Sequence, residues 1–265
     1  MSAIGRVTAV RERARRVLGR RRFRRSLRAD DVLIVGYPRS GTTWLAYMLA
    51  NAIKPDAREE LSLKTFGRYV PDVNDAYFWA KPSPPELAAL PSPRFLRVHA
   101  AYDPSFPRVV YVLRDPRDTL VSHYHFLRLS RPGFGLSLAE FVARDEEHWP
   151  VDWSEHVTGW LRVPHPARLV VRYEELHERP EPVLEHVLAF AGLSAPPDRV
   201  AAAVDESRFD HMQRAEDRGS IWERKDGERE VRRGEIGGWR DELDEESAGV
   251  IARRYGAAMA EAGYG

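Results

Sequence analysis

The first run of four consecutive apolar residues, Val32-Leu33-Ile34-Val35, follows a polar, arginine-studded start and ends at Gly36. A short β-branched run with no polar alternation predicts a strand buried on both faces, as in a parallel sheet. Phe95 to Val98 and Val109 to Leu113 have the same character and are expected as a strand pair, with Leu169 to Val171 as a fourth strand. Between these runs the apolar spacing changes to three and four. Thr42 to Ile53 puts Leu45, Met48, Leu49 and Ala52 on one helical face, and further helices are predicted over about 115–129, 137–145, 152–162, 182–191 and 242–261. Strands alternating with helices predict an α/β fold: a central parallel β-sheet flanked by α-helices on both faces.

Two stretches carry no such pattern. Seven prolines punctuate 55–93, where proline breaks regular elements. Residues 214–238 are charged and contain five glycines, as expected of a lid or irregular loop. Neither reads as a domain linker, so the chain is expected to be one domain over 31–265 with a basic extension over 1–30.

Composition sharpens this picture in two places. There is no cysteine among the 265 residues, which excludes a disulfide framework, a thiolate zinc site and a cysteine nucleophile. The formal net charge of +1 conceals a segregation: eleven arginines lie between Arg6 and Arg28, against only Glu12 and Asp30 in the first 30 residues. The remainder is therefore acidic. The basic start is read as a solvated helix, as a helix held on an acidic partner or anionic membrane, or as a nucleic-acid arm. Nucleic acid is the least favoured partner, since only Phe23 interleaves the arginines. No apolar run is long enough to span a bilayer or to follow the basic start as a secretion signal, so a cytoplasmic location is expected, with peripheral membrane contact through the arginines.

The chemistry is concentrated in Val32 to Trp44, VLIVGYPRSGTTW. A buried strand passes through a loop bounded by Gly36 and Gly41 into a helix, so the N–H groups of Ser40, Gly41, Thr42 and Thr43 are expected to converge with the positive helix end on an anion. The Gly36-x4-Gly41 spacing is P-loop-like. A nucleotide P-loop continues Lys-Ser/Thr, however, whereas this loop continues Thr42-Thr43 and carries its cation earlier, at Arg39. A second strand-to-helix turn, Val109 to Phe126, offers Arg114 and, eight residues later, Ser122, a pairing able to hold a phosphate.

YPRSGTTW resembles the 5′-phosphosulfate loop of the sulfotransferases that use 3′-phosphoadenosine 5′-phosphosulfate (PAPS), in which Lys usually stands at the position of Arg39. Arg114 and Ser122 resemble that family's 3′-phosphate segment, and VRRGEIGGWR, Val231 to Arg240, resembles its RKGxxGDWK loop. The resemblance runs from about Val32 to Arg240. It implies donor contacts from Arg39, Ser40, Gly41, Thr42, Thr43, Arg114, Ser122, Arg232, Arg233 and Gly234, and adenine contacts from Trp44, Tyr173, Ser207 and Phe209. Trp153-Ser154-Glu155-His156-Val157 resembles the family's Trp-x-x-His-Val stretch, with a structural role for His156.

Nine histidines compete for the role of base, and spacing alone does not choose among them. His99 closes the run Phe95 to Val98, where a parallel strand delivers a side chain to the ligand-binding edge of its sheet. Arg97-Val98-His99 resembles the family's Lys-Thr-His, which implies His99 as general base and Arg97 as a sulfuryl contact, with Arg39 completing the catalytic set. His123 and His125 are expected to pack or cap. The implied reaction is in-line transfer of a sulfuryl group from PAPS to a hydroxyl or amine, with PAP as product and no metal. A P-loop kinase or NTPase, with Asp115 as metal ligand, and a noncatalytic nucleotide-binding module remain as alternatives. The acceptor is expected to be a small molecule, lipid or glycan, held by 55–93, the loop after His99, 130–150 and 214–230. The family's Lys-x3-Thr-Val dimer segment has no match in Trp239 to Glu246, which leaves oligomeric state open.

Overall fold

A computed structural model describes residues 17–79, 85–144, 152–220, 222 and 229–265. Strand β1 (Val32–Gly36) leads into helix α1 (Thr42–Ile53), then α2 (Asn74–Trp79), β2 (Phe95–Val98), β3 (Arg108–Leu113) and α3 (Pro116–Ser130). After α4 (Leu138–Ala143) and α5 (Trp153–Arg162) come β4 (Arg168–Arg172), α6 (Tyr173–Glu178), α7 (Pro180–Phe190), α8 (Pro197–Glu206), α9 (Phe209–Arg218) and α10 (Glu245–Glu261). All strand pairs are parallel, in the order β2-β1-β3-β4. The expected pairing of Phe95–Val98 with Val109–Leu113 is therefore corrected: both strands flank β1, the most completely buried of the four.

Period-two alternation sorts the strand side chains between two cores. Leu33, Val35, Leu96, Val98, Val109 and Tyr111 face one core, closed by Trp153, Trp160 and Tyr255. Val32, Ile34, Phe95, Val110 and Val112 face the other, closed by α1, α7 and α8. Because each strand of the central pair is covered on both sides, burial of about 1.5–3 kcal/mol per large apolar side chain acts on both faces at once. This is what a continuous run such as VLIV encodes.

The structure adds to the expected helices. Residues 197–206 and 209–218 are helical, so the irregular stretch begins later than its charge suggests. Pro196 and Pro197 do not break α8, because proline at a helix start needs no N–H partner. Part of the Arg-rich start is docked on the body. Residues 17–26 are helical, Phe23 is only 2% exposed, and Arg24 and Arg28 bond Asp103 and the Ala88 and Leu90 carbonyls.

The strand order reverses at β1, so the crevice of this sheet opens at the carboxyl ends of its strands. Gly36 ends β1, His99 follows β2, Arg114 follows β3 and Tyr173 follows β4. Four segments distant in sequence therefore meet at one edge.

Candidate active site

A cavity of about 850 Å³ occupies that edge. Every residue expected to touch the donor or to take part in catalysis lines it except Ser40, which lies within the same loop, its amide bonded to the Tyr37 carbonyl.

The loop from Gly36 to Gly41 is held by close packing. A Cβ on Gly36 would lie 2.7 Å from the Val112 carbonyl oxygen, and one on Gly41 would lie 2.6 Å from the Tyr173 ring. Gly41 adopts φ +98° as the N-cap of α1, a conformation open to glycine at little cost. It offers no capping side chain, and the first turn holds no acidic residue. Capping carboxylates or hydroxyls fill this position on α3, α4, α5 and α10. The start of α1 thus keeps its positive end for an anion.

Arg39 has φ +73°, the one non-glycine residue with positive φ among those described. Such a backbone costs on the order of 1–3 kcal/mol and persists only where its surroundings over-determine it. Here they do. Its Nε donates to Ser122 Oγ (3.2 Å), its Nη2 to the Glu230 carbonyl (3.0 Å), and the guanidinium lies 4.8 Å from the centre of the Phe126 ring. Burial lowers its pKa, and Arg114, Arg97 and Arg232 add to that depression against an opposing pull from Glu230. The planar fork that replaces lysine is thus engaged by two elements at once.

Arg114 lies flat on Tyr173 at 4.0 Å and donates to the Arg39 and Glu235 carbonyls, while its buried Nε has no partner. Arg97 reaches Thr43 Oγ1 at 2.8 Å and Asp72 at 2.5 Å, and its Nε is also buried without a partner. Buried donors left unpaired cost about 1–3 kcal/mol each. Two such donors beside an open helix start fit an anionic ligand such as PAPS.

His99 Nδ1 lies 2.8 Å from the Gly36 carbonyl, and its backbone N–H donates to Asn74 Oδ1 at 2.8 Å. A carbonyl only accepts, so Nδ1 carries the proton and Nε2 the lone pair. Burial, and next the Arg97 charge, push the ring down to about 4, with Asp72 opposing. His156 is held beneath the site against Tyr111 and is pushed by burial down to about 3. His125 pairs with Glu242, and Glu242 in turn holds Arg232 at 2.7 Å. His123 lines the cavity, between the Tyr37 and Phe141 rings.

On the adenine side of the expected site, Trp44 packs on Tyr173 with ring centres 5.5 Å apart and donates its indole N–H to the Ser207 carbonyl. The Ser207 hydroxyl is turned back onto the Ala203 carbonyl, so it is the backbone of Ser207 that anchors Trp44. Phe209 is 40% exposed beside Gly234, whose Cβ would strike its ring. Arg233 spreads over Asp241, Glu242 and Glu235.

Four residues of the site have no counterpart in the sequence reading. Asp118, buried on α3, accepts the Gly237 and Trp239 amides and so fastens the 231–240 loop over Arg114. Asp72 and Asn74 hold Arg97 and His99, and Glu230 accepts from Arg39 through its carbonyl. Asp118 follows Arg114 by four residues, a spacing compatible with a surface pair. The others lie in the two patternless stretches. The segments expected to hold the acceptor contribute unequally to the cavity. Asp72, Asn74, Asp75, Ala76, Phe126, Trp222 and Glu230 line the cavity, whereas the loop after His99 and the described part of 130–150 do not. Of the aromatic residues in those segments, Phe66, Tyr77 and Phe78 are buried in the core; Trp149 lies outside the described residues.

The family model of the sulfotransferase domain matches residues 29–263, and the chain belongs to that family. Sulfotransferase 1C2 of Rattus norvegicus is 30% identical over 199 residues, 69% of this chain and 66% of that protein. Sulfotransferase 1A1 of Canis lupus familiaris is 31% identical over 200 residues, with the same coverage of 69% and 66%. The match thus spans slightly less than two thirds of the length of these relatives. Among solved structures, retinol dehydratase in complex with androsterone and inactive cofactor PAP is similar with a TM-score of 0.69 and 22% identity, over 88% of this chain and 81% of that one. Mouse sulfotransferase SULT7A1 complexed with PAP is similar at 0.66 and 21% identity, over 88% and 86%. The kinase alternative loses its metal ligand, because the Asp115 carboxylate caps its own helix and pairs with Arg117.

Proposed function

We propose that this chain is a PAPS-dependent sulfotransferase that sulfates a small hydroxyl- or amine-bearing acceptor. The observation that carries this reading is the convergence of the uncapped start of α1 with Arg39, Arg97 and Arg114 on one cavity that also contains His99. When bound, PAPS supplies the sulfuryl group together with a 5′-phosphate leaving group.

The residues divide the work by position. The amides of Ser40 to Thr43 and the Arg39 guanidinium bind the 5′ end and stabilise charge that grows there, the electrostatic contribution that usually dominates such sites. Arg114 and Ser122, with Arg232, Arg233 and Gly234 in the loop that Asp118 fastens, bind the 3′-phosphate. Trp44, Tyr173, Phe209 and the Ser207 backbone wall the adenine. His99, with Nδ1–H committed to Gly36, takes the acceptor proton at Nε2. Arg97 bridges the loop hydroxyl of Thr43 to Asp72 and directs its charge toward the transferred group. Androsterone and PAP in the retinol dehydratase structure are consistent with a small-molecule acceptor beside the same donor.

Thermal stability with PAP, with ATP plus Mg²⁺ and with neither tests the donor site. A ligand at about 100 times its Kd stabilises by roughly 2.7 kcal/mol. A rise with PAP that EDTA does not reverse is expected; a rise only with ATP and Mg²⁺ overturns the proposal.

A further inference from the structure

The arginine-rich start ends in a helix, residues 17–26, that packs on Tyr77 of α2 through Phe23. Arg24 donates from both Nε (2.9 Å) and Nη2 (2.7 Å) to Asp103 Oδ2, and Tyr77 Oη donates to that same oxygen at 3.0 Å. Asp103 is 1% exposed and also accepts from the Ser105 amide and hydroxyl. Phe23 meets the Tyr77 ring edge-on at 5.9 Å, and Arg20 lies 5.0 Å above that ring. Tyr77 belongs to α2, whose first turn lines the cavity with Asn74, Asp75 and Ala76. Asn74 accepts the His99 amide proton, and Asp72, just before the helix, pairs with Arg97.

From this chain of contacts we infer that Arg24 is a positioning residue for the reaction: through Asp103 and Tyr77 it fixes α2, and through Asn74 it fixes His99. The physical case rests on where polar bonds hold α2, beyond the burial of Val73, Ala76 and Phe78 and the backbone bonds of residues 71–73 to Arg97. The helix has only six residues, too few to be stable by its own hydrogen bonds. Its geometry must come from packing. One face is clamped by the Arg24–Asp103–Tyr77 cluster, in which a buried carboxylate takes charge-assisted bonds that are shorter and stronger than neutral ones. Asn74, one turn before Tyr77 and on the same side of the helix, carries the His99 contact. Burial, and next Asp103, push the Tyr77 hydroxyl up to about 12, so it stays a donor throughout the physiological range. Part of the basic start thus finds its acidic partner within its own chain. The functional consequence rests on the sulfotransferase reading above, whereas the mechanical coupling does not.

A double-mutant cycle of R24Q and N74A, read in the full chain, tests the inference. Amide exchange is measured first and needs no turnover. R24Q is expected to speed exchange over 72–79 and at the His99 amide by about tenfold, with β1 unchanged. The PAP-induced thermal rise is expected to be kept in all four proteins, which separates this inference from the donor-site reading. With PAPS and 2-naphthol as probe acceptor, R24Q is expected to lower kcat by about ten- to a hundredfold with the donor KM unchanged. In the N74A background, R24Q is expected to have no further effect on kcat, as for two residues acting through one path. Exchange at 72–79 that R24Q leaves unaltered overturns the inference, as do additive kcat losses. A loss of thermal stability and of the PAP response together assigns Arg24 to general stability and overturns it equally. R24K, which keeps one charged donor to Asp103, is expected to recover part of the kcat loss.

Discussion

His99 shows how one side chain acquires a task from its neighbours. Its Nδ1–H is committed to a strand-end carbonyl, its backbone to Asn74, and its ring is held near 4 by burial and by Arg97. Because this value lies below the ordinary 6.5, the unprotonated base is present throughout the neutral range and is lost only as pH falls toward 4. The acid limb of kcat/KM for the donor, which reports the free enzyme, is therefore expected near pH 4. The limb of kcat is expected at higher pH, since negative charge brought by the donor offsets Arg97 and Arg39. Limbs near 6.5 in both profiles, or H99A activity within tenfold of the wild type, would remove His99 from the role of base. Gly41 and Arg39 illustrate the complementary case, in which the backbone does the work. One supplies a left-handed turn without steric cost, and the other is held in that region by Ser122, Phe126 and the Glu230 carbonyl.

At the scale of elements, the 231–240 loop has little apolar surface to hold it, and its position depends on α3. Asp118 spans the two, with its carboxylate oxygens bonded to the Gly237 and Trp239 amides at 2.7 and 3.0 Å. Arg117 on the same helix lies 4.5 Å from the centre of the Trp239 ring. D118A is expected to free the loop and leave two amides without their carboxylate. Hydrogen bonds to a charged group are worth about 1.5–3 kcal/mol. PAP affinity should fall by about tenfold or more, while the strands stay protected from exchange. Calorimetric titration with PAP checks this; unchanged affinity would mean that the loop finds its place without α3. Strand and helix identity was legible in the sequence because VLIV and VVYVL are apolar without interruption, FLRV is broken only by Arg97, and α1 repeats at helical spacing. Helix α8 was not, since Pro196-Pro197 reads as a break until the fold puts both prolines at a helix start.

For the molecule as a whole, the segregation of charge along the chain is partly undone by folding. Arg20, Arg24 and Arg28 reach Tyr77, Asp103 and the 88–92 turn, with the Arg24 side chain still 40% exposed, and Arg21, Arg22 and Arg25 are exposed as well. The junction is a buried fork: Arg94, before β2, donates to both oxygens of Asp31, before β1, at 2.7 and 2.5 Å, and also to the Ser26 carbonyl. Asp31 and Arg94 are 0% and 4% exposed. Removing one member of a buried pair leaves the other charge uncompensated, at a cost of about 3–5 kcal/mol. D31N should lower stability by that amount in denaturant unfolding; a loss below about 1 kcal/mol would show that water reaches the fork and screens it.

Local sequence determined the elements, the phosphate-type loop and the family, because those depend on periodicity and on residues a few positions apart. GYPRSGTTW states its own geometry: two glycines where a side chain would collide, a cation between them, and a helix that starts without a capping side chain. The parallel sheet likewise follows from strands buried on both faces. Which strands are neighbours, and which side chains outside the motifs complete the site, was decided only by tertiary structure. Asp72, Asn74, Asp118 and Glu230 lie in stretches with no period, or at a spacing that a surface pair would also show. Their roles come from reaching across the carboxyl edge of the sheet, where β1, β2, β3 and β4 end together. Contacts between residues 25 to 191 positions apart leave no trace in local spacing, since their energy is gained only after the chain has closed.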